Sequence, residues 1–132
     1  MTKEEILAMK AGRELNIIVA EDVMGGKFMV DEIFGDTVSR CHDFLYKTKG
    51  YCIEKPFFGP LRHYSEDMAA AQEVIDKLKL HNMRVQLNHY TEKWEAEFSK
   101  LGAGFSYPVA WADTVPEAIC KAALLAMLEA KK

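Results

Sequence analysis

The chain has 132 residues and a mass of 15.0 kDa, the size of one compact domain, so a second independent core is not expected. Apolar residues make up 49% and charged residues 28%, enough apolar side chain to bury a core, which excludes disorder as the default state. With 17 basic against 20 acidic residues the net charge is −3, so the chain lacks the global positive field that holds long nucleic acid. No apolar run approaches the roughly 18–20 residues that cross a bilayer, and the start MTKEEILAMK lacks the basic-then-apolar order of a signal peptide. These features point to a cytoplasmic chain with no membrane partner.

In chain order, Thr2 and Glu5 have the spacing of a capping box, and a short helix is expected over residues 2–9. Leu15, Ile18, Val19 and Val23 fall at helical spacing, which predicts a second helix over 13–24, ended by Gly25-Gly26. Residues 27–64 carry apolar and aromatic side chains without a sustained period and are broken by Gly35, Gly50, Pro56, Gly59 and Pro60, so short strands in a largely irregular segment are expected. Ser65 reads as an N-cap, with Glu66 and Asp67 in the first turn, and Met68, Ala71, Val74, Ile75 and Leu78 mark one face of a helix reaching about Leu80. The period then becomes two. Val85, Leu87 and His89 alternate with polar residues, as do Trp94, Ala96 and Phe98, which predicts two antiparallel strands joined near 90–92. Residues 105–112 add a third strand, with Pro108 at an edge or bulge position. Thr114 and Glu117 repeat the capping-box spacing, Pro116 is tolerated in a first turn, and 118–128 is a strongly apolar helix followed by Lys131 and Lys132. The expected fold is α+β: a small antiparallel sheet packed with helices in one domain over 1–132. A sheet of three or four strands leaves an edge and a face for self-association, so a homo-oligomer is expected.

Three cysteines, Cys41, Cys52 and Cys120, are an odd number with no export signal, which argues for free thiols rather than a disulfide framework. Cys120 lies in an apolar helical pattern with no base beside it. Cys41-His42 and Cys52 lack paired metal-ligand spacing, and zinc would need a distant fourth ligand from His63, His81 or His89, so no metal or cofactor is expected. No nucleophile elbow, zinc-protease motif, P-loop or dinucleotide fingerprint occurs. Gly25-Gly26-Lys27 ends a helix, whereas a phosphate loop opens one. Glu95 and Glu97 share a strand face without a recognisable acid–base partner. Enzymatic activity therefore has no positive support.

The densest chemistry is Phe57-Phe58-Gly59-Pro60-Leu61-Arg62-His63-Tyr64, where rings, a guanidinium and an imidazole precede a helix start; stacking plus anion pairing is what a nucleotide requires. The plainer reading makes the phenylalanines core anchors and leaves Arg62 and His63 merely exposed. Trp94 divides the same way between core and platform, and Tyr90, Arg84 and Trp111 add aromatic and cationic groups around the sheet.

Residues 1–25 (MTKEEILAMKAGRELNIIVAEDVMG), 63–78 (HYSEDMAAAQEVIDKL), and the pair KWEAEF at 93–98 with ADTVPEAICKAALLAMLE at 112–129 together resemble the phage ABA sandwich domain. The chain departs from the family pattern where a tryptophan often follows V-M-G, here Gly26-Lys27-Phe28, and where an arginine often stands at Lys121; lysine keeps the charge but loses the bidentate fork. The resemblance implies a phage or prophage origin, an α/β/α sandwich-like architecture, oligomerisation and residence in the host bacterial cytoplasm. Small phage proteins that look similar include Thoeris anti-defence proteins, sponges that hold cyclic ADP-ribose isomers without cleaving them. The expected function is sequestration of such a nucleotide second messenger, with Arg62, Tyr64, Trp94 and Lys121 as ligand-binding residues: cations for pyrophosphate, rings for adenine. The alternatives are a small nucleotide-acting hydrolase or lyase and a non-catalytic protein-interaction module.

Overall fold

The computed structural model describes residues 2–24, 27–28, 39–41, 44–46, 50–54, 57–60, 62–90, 92–102 and 106–130, with only backbone pairing described between 27 and 60. Helix α1 spans Lys3–Ala8, and Thr2 caps it by accepting the Glu5 backbone N–H at 3.2 Å, as the capping-box spacing predicts. Gly12 precedes α2 (Arg13–Ile18) at φ 146° and ψ −167°, a conformation open in practice to glycine alone. The second helix differs from its expectation in one respect. After Ile18 the backbone widens into a π-turn, Val19–Val23, in which the Met24 N–H reaches the Val19 carbonyl at 3.0 Å. Leu15, Val19, Ala20 and Val23 are buried, whereas Ile18 is only partly so. The glycine pair expected to end this helix lies outside the described residues.

Five short strands occupy part of the irregular segment, as expected: β1 (Lys27–Phe28), β2 (Ser39–Cys41), β3 (Phe44–Tyr46), β4 (Gly50–Glu54) and β5 (Phe57–Pro60). β1, β4 and β5 form one antiparallel sheet, and β2 pairs with β3. Helix α3 (Met68–Lys79) buries Ala70, Ala71, Val74, Ile75 and Leu78. Its N-cap is Asp67, which accepts the Ala69 N–H at 3.2 Å. This corrects the expectation of Ser65 as cap; the Ser65 side chain is engaged by the N-terminal helix instead.

The principal sheet has the order β6-β7-β8, all antiparallel. The hairpin of β6 (Met83–Tyr90) and β7 (Lys93–Lys100) falls where the period-two pattern places it. The third strand β8 is shorter than expected, only Ala110–Ala112. An isolated Ser99–Ser106 bridge continues the pairing beyond it, and between the two contacts the chain takes four steps (Ser106 to Ala110) against three on β7 (Ala96 to Ser99). That extra residue is a bulge, and Pro108, which has no N–H to donate, lies within it.

Helix α4 (Val115–Ala130) starts with Thr114 accepting the Glu117 N–H at 3.4 Å and carries Pro116 in its first turn. Residues Ala118 through Ala126 are all buried, as a helix apolar on every side requires. It packs on β7 and β8, alongside α3, and against α1 and the π-turn. The described layers therefore run from the sheet through α3 and α4 to the N-terminal helices. Met83, Ala96, Phe98, Ala110 and Ala112 face the helices and are buried, each large side chain contributing about 1.5–3 kcal/mol. No described helix is long and apolar enough to cross a membrane.

Candidate functional site

Lys121 lies on α4 where it meets α1. Its ammonium ion-pairs with the Glu117 carboxylate at 3.1 Å and donates to the Leu7 carbonyl at 3.2 Å, and the residue is only 4% exposed. The other Glu117 oxygen accepts the Ala11 N–H at 3.1 Å. One lysine–glutamate pair thus satisfies the end of α1 and the loop after it. The sequence suggests Lys121 as a ligand cation; in the structure the helix burying it places α1 over its stem, and its charge is paired internally.

Arg62 and Tyr64 stand next to each other in the turn before α3 and have opposite environments. The Arg62 guanidinium is exposed and pairs with Glu73 at 2.7 and 2.9 Å, a surface contact worth about 0–1 kcal/mol that leaves it within reach of solvent. Tyr64, the expected ring contact, is buried in the core, so its ring presents no face for stacking in this conformation. Burial first, then the nearby Glu73 carboxylate, pushes its phenol up to about 12. The folded protein thus holds this proton more tightly than the unfolded chain does. The corresponding stability is complete below about pH 10, the ordinary tyrosine value, and is lost as pH rises towards 12. Denaturant midpoints should fall across that interval in the wild type and fall less in Tyr64→Phe. Burial likewise pushes the Cys120 thiol up, which suits an inert core cysteine.

Ser65 is buried, with its backbone N–H and hydroxyl both directed at the Asn16 carbonyl oxygen, at 2.8 and 2.6 Å. Ser65 Oγ accepts the Gly12 N–H at 3.0 Å, and Asn16 Nδ2 donates to Glu66 at 3.0 Å. Glu66 in turn lies 3.5 Å from His63 Nδ1. Although serine, histidine and a carboxylate meet here, the serine is inaccessible and is bound to the asparagine rather than the imidazole. The cluster staples the N-terminal helices to the start of α3.

Trp94 is half-buried on the helix-facing side of the sheet, stacked on His89 directly opposite it with ring centroids 4.3 Å apart. It is a cross-strand packing pair. The other face of the sheet carries Arg84, Gln86, Asn88 and Tyr90 from β6, Lys93, Glu95, Glu97 and Ser99 from β7, and Trp111 from β8, all exposed or partly so. At one end Tyr90 and Trp111 touch, with centroids 5.4 Å apart and planes at 52°, while remaining 51% and 46% exposed. Lys93 beside them pairs with Asp113 at 2.6 Å; the contact holds the Asp113 carboxyl below and the Lys93 ammonium above their usual ranges. At the other end a cleft of about 440 Å³ is lined by Arg84, Ser99, Lys100 and Ser106, among others.

Arg62 and Tyr64 are neighbours before α3, Trp94 and Lys121 lie apart on β7 and α4, and none of the four lines this cleft or the groove along α1 and α2. An open groove of about 860 Å³ runs along α1 and α2, with Met9, Ile17 and Ile18 among its lining. Tyr90, Arg84 and Trp111, aromatic and cationic groups around the sheet, stand out on its open face instead. Their signal is strand alternation: each is out of phase with Ala96 and Phe98, and so faces away from the helices. Among the described residues no group of three His, Cys, Asp or Glu side chains could hold a metal ion; the side chains of Cys41, His42 and Cys52 lie outside them.

Comparison with known proteins adds two findings. The phage ABA sandwich domain matches residues 17–124, most of the chain. A crystal structure of a phage protein from Bacillus cereus ATCC 14579 is similar in fold, with TM-score 0.58 and 22% identity over 89% of this chain and 92% of that one. No curated protein matches.

Proposed function

We propose, since this chain belongs to the phage ABA sandwich domain family, that this phage-derived protein binds and sequesters a nucleotide signal without cleaving it, on the open face of its principal sheet. The observation that carries the reading is the Tyr90–Trp111 pair, two large rings in contact yet about half exposed. Rings on an open sheet face form a stacking platform for a base. Asn88 and Glu95, level with Trp111 across the strands, supply partners for ribose hydroxyls. Lys93 beside the rings is neutralised by Asp113, so the phosphate of such a ligand falls to a cation elsewhere on the same face. The signal of first choice is a cyclic ADP-ribose isomer or cyclic oligonucleotide of bacterial immunity, and the role is then Thoeris-type anti-defence. Self-association belongs to the same reading, because β6 is an eight-residue edge strand and an open edge pairs readily with another copy.

Calorimetry against cyclic ADP-ribose isomers and cyclic oligonucleotides tests the proposal. Binding is expected, and Trp111→Ala should weaken it about tenfold or more, since base–aromatic stacking is worth about 1–3 kcal/mol. Ligand released by heating the complex should be chemically unchanged; a cleaved product would turn the reading to the hydrolase, with Glu95 and Glu97 the first residues to examine. Absence of heat across both panels would overturn it.

A further inference from the structure

We propose that the open face binds its ligand in one direction, with the base on Tyr90 and Trp111 and a phosphate or pyrophosphate group in the cleft formed by Arg84, Ser99, Lys100 and Ser106; this inference rests on the nucleotide reading above. The strand register places the groups in rows. Trp111 is level with Glu95 and Asn88, Glu97 faces Gln86 one row further, and Arg84 faces Ser99, which is bridged to Ser106. All lie on the side of the sheet away from buried Ala96 and Phe98. With a rise of about 3.3 Å per residue, the Trp111 and Ser99 rows are about 13 Å apart, the span of an extended nucleoside diphosphate and, among the cyclic signals, one that favours the larger ring of a cyclic oligonucleotide over a compact cyclic ADP-ribose.

The chemistry along these rows has a polarity. The aromatic end offers π-faces, and the middle rows offer amides and two carboxylates, which accept ribose hydroxyls and repel phosphate. The far end offers the Arg84 guanidinium and two hydroxyls, and Lys100, level with Met83 and so on the helix-facing side of the register, lines the cleft from the end of its strand. Among the described residues neither Arg84 nor Lys100 is held in an ion pair, even though Glu97 lines the same cleft. An unpaired guanidinium beside two hydroxyls binds a tetrahedral oxyanion through its fork while the hydroxyls donate to the remaining oxygens. The bulge containing Pro108 keeps Ser106 paired with Ser99 although β8 itself ends at Ala110.

The test is titration of wild type, Arg84→Gln and Trp111→Ala with adenosine, ADP and inorganic pyrophosphate. Wild type should bind ADP at least about tenfold more tightly than adenosine, the difference expected of charge-assisted hydrogen bonds. Arg84→Gln should remove that preference and leave adenosine unchanged, while Trp111→Ala weakens both. Arg84 is exposed, so an unchanged urea midpoint will show that the variant is folded. Should ADP show no preference over adenosine, or should Arg84→Gln weaken both equally, the placement of the phosphate is overturned while the base platform stands. Pyrophosphate binding that depends on Arg84, with no response to adenosine, ADP or the cyclic panel, supports the anion cleft and rejects the nucleotide reading. No binding of any probe overturns both.

Discussion

Lys121→Ala is expected to lower the unfolding free energy by about 3–5 kcal/mol, because it leaves the Glu117 carboxylate largely buried without its counter-charge. The side chains of Lys121 and Glu117 are 5% and 13% exposed, so water cannot replace the lost ammonium without opening the contact between α1 and α4. The Leu7 carbonyl loses its donor in the same step. Lys121→Met should be nearly as costly, since it keeps the stem and still orphans the carboxylate. Adding Glu117→Leu to Lys121→Met should recover much of the loss, because replacing a buried pair by apolar side chains of similar size is often close to neutral. The Ala11 N–H then left without Glu117 is exposed and can turn to water. Urea denaturation of wild type, Lys121→Met, Glu117→Leu and the double variant measures the cycle. A ligand-contact role for Lys121 gives the opposite split, with affinity lost and stability kept, and that outcome would restore the residue to the binding site.

Asn16→Ala should cost about 2–4 kcal/mol: two buried Ser65 donors lose their acceptor at about 1–3 kcal/mol per unsatisfied group, and the hydroxyl can turn in part to the Gly12 carbonyl 3.4 Å away. The orientation of the amide follows from its neighbours: the two Ser65 donors require Oδ1 on their side, which directs Nδ2 to Glu66. Asn16→Asp is the informative companion. Aspartate keeps the acceptor for Ser65 but replaces the Nδ2 donor with an oxygen facing the Glu66 carboxylate, so it too should destabilise, more at neutral pH than under mildly acidic conditions. Ser65→Ala combined with Asn16→Ala should be less than additive, since each removes the other's partner. Hydrogen exchange supplies a second readout: Asn16→Ala should raise exchange in α1 and α2 first, because the staple to the turn before α3 is what they lose.

The helices and the hairpin were legible because their signals are local. Thr2 and Thr114 cap helices at the expected spacing, and the β6–β7 register follows from alternation that places Ala96 and Phe98 inward and Glu95 and Glu97 outward. The apolar surround of α4 likewise foretells burial from several sides. The residues that resemble the phage ABA sandwich domain are largely these same elements, and the family match spans the region that joins them. Ligand contacts are less legible, because residue type does not reveal whether a cation or ring is already occupied. Tyr64 and Lys121 have suitable chemistry for a nucleotide but no accessible surface, and Trp94 is engaged by His89.

Local signals along the chain suffice for the α+β class, the order of the principal elements and the side of each strand that faces the core, since hydrophobic period and capping act over a few residues. Tertiary structure alone decided that Ser65 would serve Asn16 rather than cap α3, and that Lys121 would neutralise Glu117 within the core. It also decided that Tyr90 and Trp111 would meet in the open. Those outcomes depend on segments distant in the chain competing for the same donors, charges and surfaces, and that competition exists only once the segments have packed together.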